Sequence, residues 1–428
     1  MTDTAHTEAA VSHSFGLLRL PDSIAFGDGA RASIPTAVAR LGQRALVVCD
    51  PFLASTAYFS ELLEGLEALG VTTTVDSHVV PELPVAEVEA AVERARAAAP
   101  DVVVGFGGGS ALDLAKLVAL GLAHGTPMNR FYGENLVPGP VLPLVAVPTT
   151  SGTGSEVTPV AVLADPEREL KVGISSPHLI PRAAVVDPRL TVGAPPPVTA
   201  SSGADALVHA IEAYTAQPRT PEWGSQLPVF VGRNLLSSSL ALEAIGLIGR
   251  SLRRAVEHGD DFEARAEMSY ASLLAGMAFG TAGTHLSHAI QYPVGALTHT
   301  PHGVGTGMML PYVLRAILPT DAGRLAEIAQ ALGVGGSSTE EAAEAAVREI
   351  TDLMHSIGLP RDLASMGVAE SDLEHVVELS LTVRRLVANS NLEPTDQNLQ
   401  RIVRAAYRGE HQELAASAAT AHESETRA

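Results

Sequence analysis

Between about residue 15 and residue 197, short β-branched apolar runs alternate with helix-like stretches, and this alternation leaves little choice of fold. The runs RALVVCD, DVVVGFGGG, LPLVAVPTT and AAVVDP are apolar on consecutive residues rather than on every second one. A strand without a polar face must be covered on both sides, which means a parallel sheet between two layers of helix. VAEVEAAVERARAAA is a helix of the kind such crossovers use. GAPPPVTASSG, residues 193–203, then breaks the pattern with three prolines. Beyond it the strand signal stops. SSSLALEAIGLIGRSLRRAVE, DFEARAEMSYASLLAGMAF and SSTEEAAEAAVREITDLMHSIG carry apolar residues at helical spacing, with charged opposite faces. The expected organisation is an α/β domain over 15–197, an all-α domain over 198–410, and flexible termini at 1–14 and 411–428.

Length supports that division, since 428 residues exceed what one core usually organises. Hydrophobic content of 46% with only 4% aromatic residues predicts an Ala/Val/Leu-packed interior. A formal charge of −20 argues against nucleic acid or an anionic membrane surface as partner, because no basic block offsets phosphate repulsion. Cys49 is the only cysteine, so neither an intramolecular disulfide nor a cysteine-based zinc cluster can form. The polar start MTDTAHTEAAVSH lacks the marks of a signal peptide, and no uninterrupted apolar run approaches a bilayer span. The expectation is a soluble cytoplasmic protein.

Two loops in the first half suit a nucleotide. VVVGFGGGSALDLAK runs from a buried strand through Gly107, Gly108 and Gly109 into a helix expected to start at Ser110. Glycines let the backbone approach an anion, Ser110 can cap the helix, and its free N–H groups suit a pyrophosphate. Tight packing alone would also explain such a turn. PTTSGTGSEVT then offers hydroxyls on Thr149, Thr150 and Thr158, which serve either a ligand or their own backbone. Asp50 closes the strand RALVVC, where a carboxylate can bond an adenosine ribose hydroxyl and repel a 2′-phosphate; with Pro51 following, a simple turn is the rival reading.

In the second half, GADALVHAIEAY places Asp205 and His209 four residues apart on one helical face. His288 in THLSHAIQYP and His302 in HTPHGVG can complete a set of three imidazoles and one carboxylate. Such a set suits Fe(II) or Zn(II), leaving the ion a strong Lewis acid.

GGGSALDLAK, PTTSGTGSEVTPVAVL, GADALVHAIEAY and the final PHG, in this order, resemble the motifs of the iron-containing (group III) alcohol dehydrogenases. The resemblance runs from about Phe15 to about Arg408. It implies a Rossmann-like NAD(H)- or NADP(H)-binding domain, an all-α metal-binding domain and a cleft between them. By matched positions, Asp205, His209, His288 and His302 would hold the metal. Gly107, Gly108, Gly109, Ser110, Asp113, Thr149, Thr150, Thr158 and Lys171 would lie along the dinucleotide, with Asp50 at its adenosine ribose. A homodimer or larger homo-oligomer is expected.

The chain departs from the family pattern in several places. Tyr292 stands where most relatives have a second histidine, and Leu83-Pro84 where many have Asn-Pro. His285 and the insertion PRTPEWGSQLPVFVGRNLLSSS are similar to the hydroxyacid–oxoacid transhydrogenase branch. The resemblance implies hydride transfer between a nicotinamide and a small aldehyde or its primary alcohol. His285 and Tyr292 are then the candidates for the proton, and Lys171, Arg182 or Arg233 for anchoring an acidic aldehyde such as a semialdehyde or phosphonoacetaldehyde. A dehydroquinate-synthase-like lyase would call for a glutamate ligand and a lysine-rich phosphate site, and a non-catalytic sensor would be expected to lose ligands first.

Overall fold

The computed structural model describes residues 15–168, 170–411 and 414. The flexible termini expected at 1–14 and 411–428 lie outside the described residues, except for 411 and 414. Six strands form one all-parallel sheet: β1 (Ser23–Phe26), β2 (Arg44–Cys49), β3 (Thr72–Asp76), β4 (Val102–Gly107), β6 (Leu144–Pro148) and β9 (Ala183–Val186), in the order β1-β9-β6-β4-β2-β3. All four apolar runs read in the sequence are strands of this sheet. β4 and β6 are buried along their whole length between two side-chain layers, one around Leu46, Val88 and Leu117, the other around Val47, Phe59 and Val145. Helices α1 (Ile34–Ala39), α2 (Ala57–Ala68), α3 (Val85–Arg96) and α4 (Gly109–His124) make the crossovers.

A second, three-stranded sheet has no counterpart in the sequence reading. β5 (Gly133–Glu134) pairs in parallel with β8 (Leu170–Ser175), which forms an antiparallel hairpin with β7 (Val160–Asp165). β7 alternates between buried and half-buried positions, although its residues Val160 to Ala164 are as continuously apolar as those of the central strands.

The second half is helical: α5 (Pro196–Thr215), α6 (Leu235–Glu257), α7 (Phe262–Ala282), α8 (Leu286–Thr298), α9 (His302–Ala331), α10 (Thr339–Ser356), α11 (Leu373–Thr382), α12 (Arg384–Val387) and α13 (Asp396–Arg408). The proline run that breaks the alternating pattern is the start of α5. Pro195 is its N-cap and Pro196 its first helical residue, where a missing N–H costs nothing and the fixed φ suits the helix. By length and composition α6 could cross a membrane; here it packs on α5 and α7 through Ala241, Ile245, Ile248 and Leu252.

The two halves meet in direct backbone contact at Gly154 and Gly276. Gly154 has a left-handed φ of 60° and lies so close to Gly276 of α7 that a Cβ on Gly276 would sit 2.7 Å from its Cα. Beside them Leu273 of α7 packs with Val157, Ala184 and Val186 of the first half. The loop after β6 is also tied to α4 by Lys116, whose fully buried Nζ donates to the carbonyls of Thr158 (2.9 Å) and Val160 (2.8 Å) and to Thr158 Oγ1 (3.2 Å). Burial lowers the pKa of this ammonium to about 8, opposed by Asp113 and Glu156. Lys116→Met leaves those acceptors unpaired, and a loss of about 2–3 kcal/mol is expected from urea unfolding. An unchanged midpoint would mean that the loop is held by other contacts.

Candidate active site

Strand order reverses between β2 and β4: the chain goes from β2 outward to β3, then returns to place β4 on the other side. Loops leaving the carboxyl ends of such a pair splay apart and open a crevice. Asp50 leaves β2 here, and Gly107 ends β4 beside it. A Cβ on Gly107 would lie 2.9 Å from Asp50 Oδ2 and 2.6 Å from Ala111 Cβ, so only glycine fits. A Cβ on Gly109 would strike Thr153 at 2.5 Å, whereas at Gly108 it would meet nothing nearer than 3.4 Å, from Thr150. The helix begins one residue earlier than expected. Gly108 is the N-cap of α4, and Ser110 lies in the first turn rather than at the cap. No side chain caps this end, so its N–H groups and positive dipole face the open side of Gly108.

The crevice continues into a cleft between the halves, where Gly109, Ser110, Thr158 and Lys171 face the helical residues Asp205, His209, His288 and His302. Asp50, Gly107, Gly108, Thr149 and Thr150 stand outside this pocket, further along the crevice. Burial raises the Asp50 carboxyl, opposed by the N–H of Gly108. Asp113 lines the cleft, but both its oxygens are engaged, Oδ1 by Ser155 Oγ (2.6 Å) and Oδ2 by Val162 N–H (2.9 Å). Lys171 pairs with Glu82. Glu82 and Leu83 both take left-handed φ, and Leu83, in place of the expected asparagine, is buried against the cleft.

On α5, Asp205 and His209 share a face, as their spacing predicts, and α8 and the first residue of α9 bring His288 and His302 to it. Asp205 Oδ1 lies 3.9 Å from His288 Nε2 and 3.8 Å from His302 Nε2. One cation with bonds of about 2.1 Å bridges such separations. The candidate ligand atoms of these three residues all fall within 4.8 Å of one another. His209 stands against them, its ring 4.8 Å from that of His288 and stacked 4.0 Å over Phe279, with Nδ1 3.8 Å from Asp205 Oδ2.

The protonation pattern suits a cation. Burial lowers the His209 pKa to about 4 and His302 well below its ordinary value, which keeps these imidazoles neutral at pH 7. Burial raises the Asp205 carboxyl, but His209, His302 and His288 together outweigh it and hold the group below its usual pKa. His209 Nδ1 points to the carbonyl of Gly152 at 3.3 Å, so it carries the proton and Nε2 keeps its lone pair. His288 is oriented more firmly, with Nδ1 2.7 Å from Glu212 Oε2 and a buried Nε2 that has no hydrogen-bond partner among the described residues. A buried imidazole nitrogen without a protein partner, 3.9 Å from a carboxylate, fits a cation shared between the two.

Glu212 was not singled out in the sequence, although it continues the Asp205–His209 face at the next turn. Its carboxylate accepts the N–H groups of His285 (2.7 Å) and Ser287 (2.6 Å) as well as His288 Nδ1. Burial raises its pKa, but His285, His288 and these donors hold it well below the usual carboxylate range.

The proton candidates part company. His285 is fully buried behind the site, does not line the cleft, and holds Thr215 Oγ1 at 2.8 Å through Nε2. Tyr292 does line the cleft, its ring 6.3 Å from that of His302. Burial raises its pKa, opposed by Arg385, so its hydroxyl stays protonated near neutrality. Of the expected anchors, Arg182 pairs with Asp22 at the surface (2.7 Å) and Arg233 lies outside the cleft. Arg385 was missed, being in no motif. It reaches the cleft because α12 packs on α8 and because Asn389 Nδ2 ties the following residues to the carbonyls of Ala282 and Thr284.

Comparison with known proteins agrees with this geometry. Residues 21–188 match the description of the iron-containing alcohol dehydrogenases, and residues 199–407 that of the C-terminal region of the Fe-containing alcohol dehydrogenase family. Long-chain-alcohol dehydrogenase 1 of Geobacillus thermodenitrificans is 38% identical over 389 residues, 90% of this chain and 94% of that protein. A crystal structure of 1,3-propanediol oxidoreductase superposes with a TM-score of 0.83 at 33% identity, covering 92% of this chain and all of the other. The sulfoacetaldehyde reductase of Bifidobacterium kashiwanohense, solved with NAD+, superposes with a TM-score of 0.78 at 30% identity, covering 92% and 98%. The chain belongs to the iron-containing alcohol dehydrogenase family, metal- and NAD-linked oxidoreductases that interconvert alcohols and aldehydes.

Proposed function

We propose that this protein reduces a small, functionalised aldehyde to its primary alcohol, using a dissociable nicotinamide and a divalent ion held by Asp205, His209, His288 and His302. The observation that carries the reading is the bare Nε2 of His288, aimed by Glu212 toward Asp205 in the cleft that Gly109 and Ser110 also line. When bound, the ion supplies Lewis acidity toward a carbonyl oxygen and the nicotinamide supplies hydride. The chain's own part is to orient, exclude water and manage one proton. Glu212 fixes the His288 tautomer. Phe279, Leu83 and Val160 line the cleft with apolar surface, which strengthens electrostatic interactions inside it. The protonated Tyr292 Oη is the group placed to hold a proton beside His302. Asp50, at the end of β2, supports NAD(H) over NADP(H) through repulsion of a 2′-phosphate.

Chelation should abolish NADH oxidation with short aldehydes. His288→Ala should bind less than stoichiometric iron by elemental analysis, and Glu212→Gln should weaken metal affinity by roughly 10–100-fold while the fold persists by circular dichroism. Full turnover of the chelated, metal-free protein would refute the reading. Asp50→Gly should raise NADPH efficiency relative to NADH, and a wild type that already prefers NADPH would remove the role given to Asp50. Finally, dialysed protein should need added NADH. Exchange between a hydroxyacid and a ketoacid without added cofactor, and no aldehyde reduction with it, would instead assign the transhydrogenase reaction.

A further inference from the structure

Arg385 is a cation in the cleft without an acidic partner. It makes no ion pair among the described residues; its guanidinium carbon lies 4.3 Å from the centroid of Phe230. Every other basic group considered for this site is engaged or elsewhere: Lys171 by Glu82, Arg182 by Asp22, Arg233 outside the pocket. The nearest carboxylate in charge influence, Glu134, directs Oε1 at the backbone N–H groups of Val229 and Phe230. Arg385 is thus positioned by apolar and aromatic contacts, and its N–H groups are left for something that enters the cleft.

Its place among the other residues says which part of a ligand it would meet. Arg385 lines the same cleft as Asp205, His288, His302 and Tyr292, whose ring lies 6.3 Å from that of His302. A small aldehyde with its carbonyl at the Asp205–His288–His302 cluster therefore keeps its other end inside the cleft that Arg385 borders. The expected phosphate cradle of the cofactor, the amino end of α4, reaches the same cleft through Gly109 and Ser110, whereas Asp50, beside the expected adenosine ribose, stands outside it.

A second hollow adjoins the cleft, sharing Lys171, Tyr292 and Arg385 with it and adding Arg168 and Arg384. Of its four basic side chains, Lys171 is paired with Glu82 and Arg168 with Asp165 (3.7 Å), which leaves Arg384 and Arg385 against one acid, Glu134, in a chain whose formal charge is −20. Such a local reversal of sign focuses anions toward the site and is sensitive to salt.

We infer that Arg385 is a specificity-determining residue that binds the anionic end of the substrate, so that the aldehyde carries a carboxylate, sulfonate or phosphonate one short chain from its carbonyl. This rests on the aldehyde-reductase reading above. A planar guanidinium with free N–H groups matches such oxyanions in geometry as well as charge.

The test compares kcat/KM for aldehydes matched in length, succinic semialdehyde against butanal and sulfoacetaldehyde against propanal, in wild type, Arg385→Leu and Arg385→Lys. Wild type should favour at least one anionic member, and that preference should shrink as salt is raised. Arg385→Leu should cut the anionic-to-neutral ratio roughly 10–100-fold, mainly through KM. Arg385→Lys should keep part of it, and serves if the leucine variant does not fold. In parallel, calorimetric titration of the metal-loaded protein with 4-hydroxybutyrate and 1-butanol should show tighter, Arg385-dependent binding of the acid. Neutral aldehydes preferred by wild type in both pairs, or a ratio unmoved by both substitutions, would overturn the inference. Arg385-dependent binding of the acid without reduction of any aldehyde would instead refute the reductase reading and leave the anion site standing.

Discussion

One buried carboxylate ties the helical half together. Glu212 of α5 accepts the first free N–H groups of α8 and, with the same two oxygens, the Nδ1 proton of His288 one turn further on. A charge placed at a helix amino end is stabilised by the dipole and by charge-assisted hydrogen bonds. Buried and deprived of those donors, it would be costly. The position of α8, the tautomer of His288 and the ionisation of Glu212 are therefore one arrangement rather than three. Asp205 and His209 belong to it as well, because they sit on the same helix two turns and one turn earlier. Side chains that must meet within a few tenths of an ångström are carried by regular helices or by residues at their ends.

Much of this was legible from residue types alone. The four central strands announce themselves by lacking a polar face, and the Asp205–His209 pair by its spacing. What escaped the sequence did so for identifiable reasons. β7 and β8 form an antiparallel hairpin joined without a helix among the described residues, so they fall outside the strand–helix alternation. Pro195 and Pro196 read as a break because proline ends helices far more often than the eye credits it with starting them. Glu212 looks like an ordinary helical glutamate until α8 is laid across it. Arg385 lies more than eighty residues beyond the last ligand histidine, and only the tertiary fold, with Asn389 tying its neighbours to the α7–α8 turn, brings it beside Phe230. His285 failed in the opposite direction, since a histidine beside a ligand motif invites a chemical role that its burial behind Glu212 and Thr215 does not support.

At the seam between the halves backbone meets backbone directly, beside the side-chain packing of Leu273. Gly154 and Gly276 touch through their α carbons, and within the first half Lys116 holds the adjoining loop by its carbonyls. At the glycine contact no side chain separates the two halves, so they approach there as closely as backbone allows. The crevice glycines work the same way at smaller scale. Gly107 and Gly109 are needed because protein already fills the space around them, whereas in front of Gly108 the space is open.

Cys49 ends β2 immediately before Asp50, at the lip of the same crevice, and is the chain's only thiol. It is fully buried, and desolvation with the neighbouring Asp50 and Asp76 carboxylates pushes its pKa up to about 12. Thiolate, not thiol, is what alkylating agents and peroxides attack. The folded protein therefore offers sulfur chemistry no entry at the edge of its own nucleotide crevice. Labelling by iodoacetamide becomes a clean report of unfolding, and no reductant is needed to keep a cysteine competent.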